Sequence, residues 1–209
     1  MILRLAALAA LALGVIALLF FLQLVGKAPW SPPEMRHLRA MKDRVATPDS
    51  LAPFSAADFA ALPHRRPLAE YARLERRAVS FDGYVQRLLT ATDGDIHFEL
   101  APTRRRPGGP DTTYVTAELT PQWGRGSGPW SFEGLVATLR PNRGGAGPWD
   151  TGPRRARVSG WLLYDLQNDG SPGPGPATDG VRLTGWEIHP VTRIEVRDDA
   201  DSAWREVAP

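Results

Sequence analysis

The sequence contains no cysteine, and only four of its 209 residues are histidine. The absence of cysteine excludes a disulfide framework, a thiolate zinc site and a cysteine nucleophile. The P-loop, the G-x-S-x-G nucleophile motif, the H-E-x-x-H zinc motif and the dinucleotide-binding fingerprint are also missing. The formal net charge is only +2 at neutral pH, so composition gives no ground for a general affinity for nucleic acid.

The N-terminus carries a long apolar run. No charged residue occurs from Leu5 to Gly26, and such a run is long enough to cross the hydrocarbon core of a membrane as a helix. A cleaved signal peptide is the alternative, but its apolar region spans only roughly 7–15 residues. We therefore predict a transmembrane anchor over residues 1–26. Five basic residues within 27–44 favour a cytoplasmic domain, whereas the similarity to an export signal favours the outside, which we adopt.

Two segments precede the main body of the chain. Repeated prolines in residues 27–53 predict a tether. In residues 54–78, Ser55 is a candidate N-cap for a short helix. Helical spacing of apolar residues follows at Leu68, Tyr71 and Leu74. We predict short helices that pack on the main domain, and a C-terminal tail over residues 198–209.

From residue 79 onward, apolar side chains alternate with polar ones, which is the period of a half-buried strand. Five segments are predicted strands: VSFDGYVQRLL (79–89), DIHFEL (95–100), TTYVTAELT (112–120), ARVSGWLLYD (156–165) and RLTGWEIHPVTRIEV (182–196). WSFEGLVATLR (130–140) breaks the alternation and predicts a helix. Three strands, a helix and two strands are the order of the OB-fold, a five-stranded Greek-key barrel. Gly83 lies where the long first strand must bend.

The predicted fold class is therefore mainly β. It comprises an OB-fold barrel over residues 79–197 with a helix between strands 3 and 4, preceded by short helices and the N-terminal transmembrane helix. An open β-sandwich is the alternative architecture.

The closing strand contains a histidine followed by a proline. Pro190 has no N–H to donate to a strand ladder, so it belongs at a sheet edge or a bulge. Trp186 and Ile188 share one parity, and His189 has the other. We therefore expect a bend at this point, with His189 directed away from the core.

The segments DIHFEL, VSGWLLYD and WEIHPVTRIEV together resemble a set of uncharacterised bacterial OB-fold proteins. Those proteins carry a D-x-H-x-E-L second strand, a GW-x-x-x-D fourth strand and a closing WEIHPV, and the resemblance covers roughly residues 79–197. It implies an OB barrel, often exported, with no established activity. Many of those proteins have a histidine soon after GW-x-x-x-D, whereas Asp165 here is followed by LQNDG. The expected location is the bacterial inner membrane, single-pass, with the domain outside the cytoplasm.

OB barrels commonly bind oligomers across strands 2 and 3, using aromatic platforms and basic loops. The basic stretch TRRR (103–106) lies between those strands, and PRRAR (153–157) leads into strand 4. The candidate ligand-binding residues are Tyr84, Arg104, Arg105, Arg106, Tyr114 and Trp123. We predict a non-enzymatic module that binds an oligomeric anionic ligand, either nucleic acid or another anionic polymer. An envelope protein partner is an alternative that the sequence does not separate from it.

Alternation also places Asp95, His97 and Glu99 on one strand face, which His189 can approach from a neighbouring strand. Imidazole and carboxylate groups of this kind suit zinc or manganese. Asp95, His97 and His189 are therefore candidate ligands of a divalent metal, and a metal-dependent phosphodiesterase or nuclease-like barrel is the alternative function. Paired acids and arginines at nuclease-like positions are missing, so the preferred prediction has no catalytic residue and no cofactor.

Overall fold

The computed structural model of the chain describes residues 2–24, 26–91, 93–104, 113–124, 130–141, 143–144, 153–169, 181–198 and 200–209. The chain divides into two units, Met1–Asp43 and Arg44–Pro209.

The first unit contains two helices, α1 (Ile2–Leu24) and α2 (Pro33–Lys42). Within α1, the stretch Ala6–Leu24 has a mean hydropathy of 2.6. By length and composition this helix is able to cross a membrane, as predicted, although a signal sequence has the same properties. Helix α2 begins at Pro33, whose fixed φ suits a first turn and whose missing N–H is not needed there.

The second unit begins with a segment that packs on the sheet. The Arg44 side chain donates a hydrogen bond to the carbonyl oxygen of Glu75 (3.1 Å), and its guanidinium carbon lies 4.6 Å from the ring centroid of Trp161. Strand β1 (Ala52–Phe54) then pairs in parallel with the start of strand β2 (Ala78–Thr90). The last part of the predicted tether therefore contacts the domain. The boundaries that the sequence suggests between tether, helices, barrel and tail remain predictions.

Two short helices lie between these strands, α3 (Ala56–Ala60) and α4 (Leu68–Leu74). The Ser55 hydroxyl accepts a hydrogen bond from the Asp58 N–H (3.2 Å), and the Asp58 carboxylate accepts one from the Ser55 N–H (2.7 Å). This reciprocal pair is a capping box and confirms the predicted N-cap. In α4 the ring of Tyr71 is buried, which is the packing that the helical spacing predicted.

The remaining elements complete one eight-stranded sheet among the described residues. They are β3 (Ile96–Ala101), β4 (Thr113–Leu119), α5 (Pro121–Gly124), α6 (Phe132–Leu139), β5 (Arg143–Gly144), β6 (Arg155–Tyr164), β7 (Val181–Arg197) and β8 (Trp204–Glu206). The chain is therefore a mixed α/β protein that is rich in β-structure. The predicted order of three strands, a helix and two strands is present as β2, β3, β4, α6, β6 and β7, with short elements added between them.

Five strands pair in a closed circuit. The pairs β2–β3, β3–β4, β6–β7 and β2–β6 are antiparallel, whereas β4 and β7 run parallel. The described strands thus form a single sheet and not the two sheets of the alternative sandwich.

Alternate residues of the circuit supply the buried apolar core. Phe81, Phe98, Ala117 and Ile188 are fully or almost fully buried in one cluster, to which Phe59 of α3 also belongs. Between these positions the strands turn the opposite face away from the core, and that face carries the polar side chains of interest.

Two glycines permit close approaches between strands. A Cβ at Gly83 would lie 2.5 Å from the carbonyl oxygen of Ala101, so β3 could not approach β2 as it does with a larger residue there. A Cβ at Gly160 would lie well inside van der Waals contact with the carbonyl oxygen of Pro190 and 2.9 Å from Ile188 Cγ2. Gly160 therefore makes room for the irregular part of β7.

The His-Pro pair lies at a bulge, not at an edge. Strand β7 has β4 on one side and β6 on the other, and its register with β6 shifts on both sides of Gly160. The peptide bond between His189 and Pro190 is cis. His189 has the parity that the sequence predicts, but it is completely buried. Its position away from the apolar core is therefore a polar interior and not a solvated surface.

Candidate functional site

A basic cleft lies where several segments of the second unit meet. It is lined by Tyr84, Arg104, Arg140, Pro153, Arg154, Arg155, Arg197, Asp198 and Ser202, around a cavity of about 310 Å³. Five arginines against one aspartate give this lining, the arginine cleft, a formal charge of +4. Arginine carries its charge at all physiological pH values and offers planar paired donors that match carboxylate and phosphate groups.

Two of the five arginines have partners inside the protein. Arg155 binds the Asp82 carboxylate in a bidentate manner, with distances of 2.7 Å (Nε to Oδ1) and 3.1 Å (Nη2 to Oδ2). Arg154 donates to the carbonyl oxygens of Thr138 (3.4 Å) and Arg197 (3.1 Å). These bonds hold both guanidinium groups in place, and only that of Arg155 is neutralised.

The other three arginines, Arg104, Arg140 and Arg197, have no carboxylate partner among the residues that the structure describes. Arg104 and Arg140 are exposed, and Arg197 is half-buried. These three cations and the neighbouring Arg154 repel each other, and an anion placed between them relieves that repulsion. The cleft is therefore suited to an anionic ligand.

The structure does not bring all of the predicted ligand-binding residues together. Tyr84 and Arg104 both line the arginine cleft. Arg105 and Arg106 lie outside the described residues. Trp123 is half-buried against the core, with its ring centroid 6.2 Å from that of Trp130.

Tyr114 is not placed where a stacking group would need to be. Only 1% of it is exposed, because the strand face to which it belongs is covered. Burial raises the pKa of its hydroxyl, and the nearby Glu99 raises it further. The ring of Tyr114 therefore has no free face for a ligand, and the prediction of stacking at this residue is corrected.

A second polar site is buried on β3, β4 and β7, on the face that points away from the core. It consists of Asp95, His97, Glu118, Glu187 and His189, the acid–histidine cluster. His189 Nδ1 lies 2.9 Å from Glu118 Oε2 and 3.3 Å from Glu187 Oε1, and its Nε2 lies 3.8 Å from Asp95 Oδ2. His97 Nδ1 makes a 3.0 Å hydrogen bond with Glu118 Oε1. Two of the predicted metal ligands, Asp95 and His189, thus meet, while Glu118 stands between them and His97.

Arginines border this cluster on two sides. Arg182 donates to Glu187 (2.8 Å), and Arg87 pairs with Glu99, which lies next to His97. Burial raises the pKa of Glu187, and the neighbouring Glu118 raises it further. Burial alone would lower the pKa of His189, but Glu118 and Glu187 outweigh it and raise the value to about 9. In the absence of another cation, a protonated His189 therefore offsets part of the carboxylate charge.

Sequence reasoning missed several residues of both sites. Arg140 and Arg197 are far from Arg104 in sequence and meet it only in the folded domain, whereas Arg154 belongs to the PRRAR stretch (153–157) that the sequence pointed to. The sequence did indicate the strand face of Glu118 and Glu187, because both alternate with core residues on strands that were predicted correctly. Like His97 and His189, both glutamates lie on the strand face opposite the core. Only the pairing of β4 with β7 shows that these residues belong to one cluster.

No family model matches the chain, and no curated protein shows significant similarity to it. Among solved structures, asparaginyl-tRNA synthetase of Entamoeba histolytica in complex with asparaginyl-adenylate is 19% identical, with a TM-score of 0.30. The match covers 68% of this chain and 28% of the synthetase chain, so this chain spans less than a third of that protein. A similarity of this size does not indicate a function.

Proposed function

We propose that the chain is a membrane-tethered OB-fold module that binds an anionic oligomer in the arginine cleft. The circuit of strands supports this fold class, because the pairing β2–β3–β4–β7–β6–β2 with one parallel pair is that of a five-stranded Greek-key barrel. Helix α6 lies between the third and fourth of those strands, as the class requires.

Membership of the bacterial OB-fold group with a closing WEIHPV strand is part of the same proposal. In this chain the WEIHPV residues form the middle of β7, the strand that joins β4 to β6. The histidine and proline of that motif then have a structural role, namely the bulge against Gly160 and the buried contacts of His189.

The observation that carries the binding proposal is the set of three cleft arginines whose side chains have neither a carboxylate nor a carbonyl partner among the described residues. An arginine that serves only stability is commonly paired, as Arg155 is with Asp82. Arg104, Arg140 and Arg197 instead surround a cavity large enough for one or a few phosphate-sized groups. Their convergence from three separate segments favours a ligand that carries several negative charges.

Tyr84 adds an aromatic group to the same lining. Aromatic rings beside cations are the means by which OB barrels bind single-stranded nucleic acid, with bases stacked and phosphates paired. A single-stranded nucleic acid is therefore the ligand that this lining suits best, and an acidic polymer of the cell surface would use the same cations. An envelope protein partner would need an acidic segment to occupy the cleft.

Helix α1 completes the proposal as a single-pass anchor in the bacterial inner membrane, with the domain outside the cytoplasm. The metal-dependent phosphodiesterase alternative needs an accessible metal-bound water. The acid–histidine cluster is buried, so it gives that alternative no support.

The test is binding of the full-length protein in detergent to three labelled probes: a thymidine oligonucleotide, a short polyphosphate and polygalacturonate. Arg104→Glu, Arg140→Glu and Arg197→Glu should each weaken binding about tenfold or more, the lower end of what a hydrogen bond to a charged group contributes. Arg73→Glu in α4 changes the net charge equally and lies outside the cleft lining, so it should have little effect.

Two results would count against the proposal. Failure of all three probes to bind would leave the cleft without an oligomeric ligand and favour the protein partner. Equal losses in the cleft variants and in Arg73→Glu would show that only the overall charge matters.

A further inference from the structure

The acid–histidine cluster has the spacing of a metal site. One ligand atom from each of Asp95, Glu118 and His189 lies within 4.8 Å of the other two, and all three residues are buried. In a tetrahedral site with ligand bonds of about 2.0–2.2 Å, two ligand atoms are about 3.3–3.6 Å apart. The 3.8 Å between His189 Nε2 and Asp95 Oδ2 is close to that separation. Binding of one ion would draw the Glu118 carboxylate from the Nδ1 side of His189 towards Asp95, because the three ligand atoms are up to 4.8 Å apart.

His189 gives a second and independent reason. It is 0% exposed, yet neither ring nitrogen makes a hydrogen bond to any of the residues that the structure describes, despite the short distance from Nδ1 to Glu118. Buried polar side-chain atoms nearly always have a partner, and an exception calls for an explanation. An ion bound to Nε2 on the Asp95 side supplies the missing partner.

The charges of the surroundings point the same way. Five buried carboxylates lie in or next to the cluster, namely Asp95, Glu99, Glu118, Asp165 and Glu187. Arg87 pairs with Glu99, and Arg182 pairs with Glu187 and Asp165. Burying carboxylates is costly, and a divalent cation offsets two negative charges at once.

We infer that Asp95, Glu118 and His189 bind one divalent first-row metal ion, zinc or manganese, through one carboxylate oxygen each and the imidazole Nε2. Mixed carboxylate and imidazole donors are characteristic of sites for these ions. Glu118 takes the place that the sequence pattern assigned to His97. His97 then acts on Glu118, because its Nδ1 hydrogen bond holds the Glu118 carboxylate in position.

Glu187 is a positioning residue in this site. Its Oε1 lies 3.3 Å from His189 Nδ1, so once Glu118 has moved onto the ion Glu187 is the carboxylate that accepts the Nδ1 proton, which leaves the Nε2 lone pair for the ion. Arg182 in turn holds the other oxygen of Glu187 at 2.8 Å. Because the ligands come from the start of β3, from β4 and from β7 and are buried, the ion joins three strands and acts on stability.

The experiment uses the full-length protein, stripped of metal with a chelator and checked for folding by circular dichroism. Zinc and manganese are titrated separately, with elemental analysis for stoichiometry and thermal unfolding as a second readout. We expect one ion per chain and a melting temperature that rises with free metal, since an ion that binds only the folded chain stabilises it.

His189→Gln and Asp95→Asn should each lower the affinity more than ~100-fold, and Glu187→Gln by about 10–100-fold with the stoichiometry unchanged. His64→Gln is the matched control, because His64 lies outside the cluster and bonds to Asp169 instead. If His189→Gln does not fold, cobalt absorption bands in wild type and their loss in Asp95→Asn give the same answer.

A folded, metal-free wild-type protein that takes up neither ion stoichiometrically would overturn the inference. So would a bound ion that survives both His189→Gln and Asp95→Asn, because the ligands would then lie elsewhere.

Discussion

The salt dependence of ligand binding is the sharpest test of how the arginine cleft works. Arg155 is neutralised by Asp82 and Arg154 is held by two carbonyl groups, which leaves Arg104, Arg140 and Arg197 to meet phosphates. Each phosphate neutralised on a single strand contributes a slope of about −0.7 to the plot of log K against log salt concentration. Three contacts therefore predict a slope of about −2.1, and a fall in affinity of about 18-fold between 50 and 200 mM salt.

Removing one of these cations should change the slope by a fixed step. Arg104→Gln leaves two contacts, so the slope should become about −1.4 and the same change in salt should lower the affinity only about 7-fold. The assay is fluorescence anisotropy of a labelled thymidine oligonucleotide with full-length protein at four or more salt concentrations. Arg73→Gln, outside the cleft, should keep the wild-type slope.

A wild-type slope near zero would refute the electrostatic reasoning even if the oligonucleotide binds tightly. A much steeper slope that Arg104→Gln leaves unchanged would mean that other cations, outside the described cleft, make the contacts.

Two further predictions concern the fold and the anchor. Gly160→Ala should lower the free energy of unfolding by about 1–3 kcal/mol or more, the usual range for overpacking, because the new Cβ would collide with the Pro190 carbonyl. Gly14→Ala is the control, because its Cβ meets nothing within 4 Å. Equal melting temperatures of the two variants would contradict this prediction. The double variant Leu13→Arg, Ile16→Arg should be released from carbonate-washed membranes, because each charge costs about 2.5–3.5 kcal/mol at the centre of a membrane helix. A mature chain that lacks residues 1–26 would show a cleaved signal peptide instead.

Strand positions were predictable from the sequence because the alternation of apolar and polar residues is a local property. Ser55 was predictable as an N-cap for the same reason, since its partner Asp58 lies three residues away. The apolar composition of α1 likewise needs no tertiary information. These elements depend on periods of two and 3.6 residues, which a single sequence displays directly.

Alternation tells which face of a strand a residue occupies, but not whether that face is covered. Tyr114, Glu118 and His189 all have the predicted parity, and all three are buried. Their burial depends on what packs over the β3–β4–β7 face, which no local pattern reports. The same gap explains why Tyr114 was assigned to ligand stacking and why the burial of His189 was not predicted, although its place at a bulge and its parity were.

The modest net charge of +2 hides an uneven distribution of charge. Five buried carboxylates lie in and around the acid–histidine cluster. Five arginines meet at the arginine cleft, against one aspartate in its lining. An average over the whole chain cancels these two regions, so it predicts weak affinity for both anions and cations. The two proposed sites differ from that average because a ligand at either site lies within a few ångströms of the local charges, and it responds to those charges more than to the total.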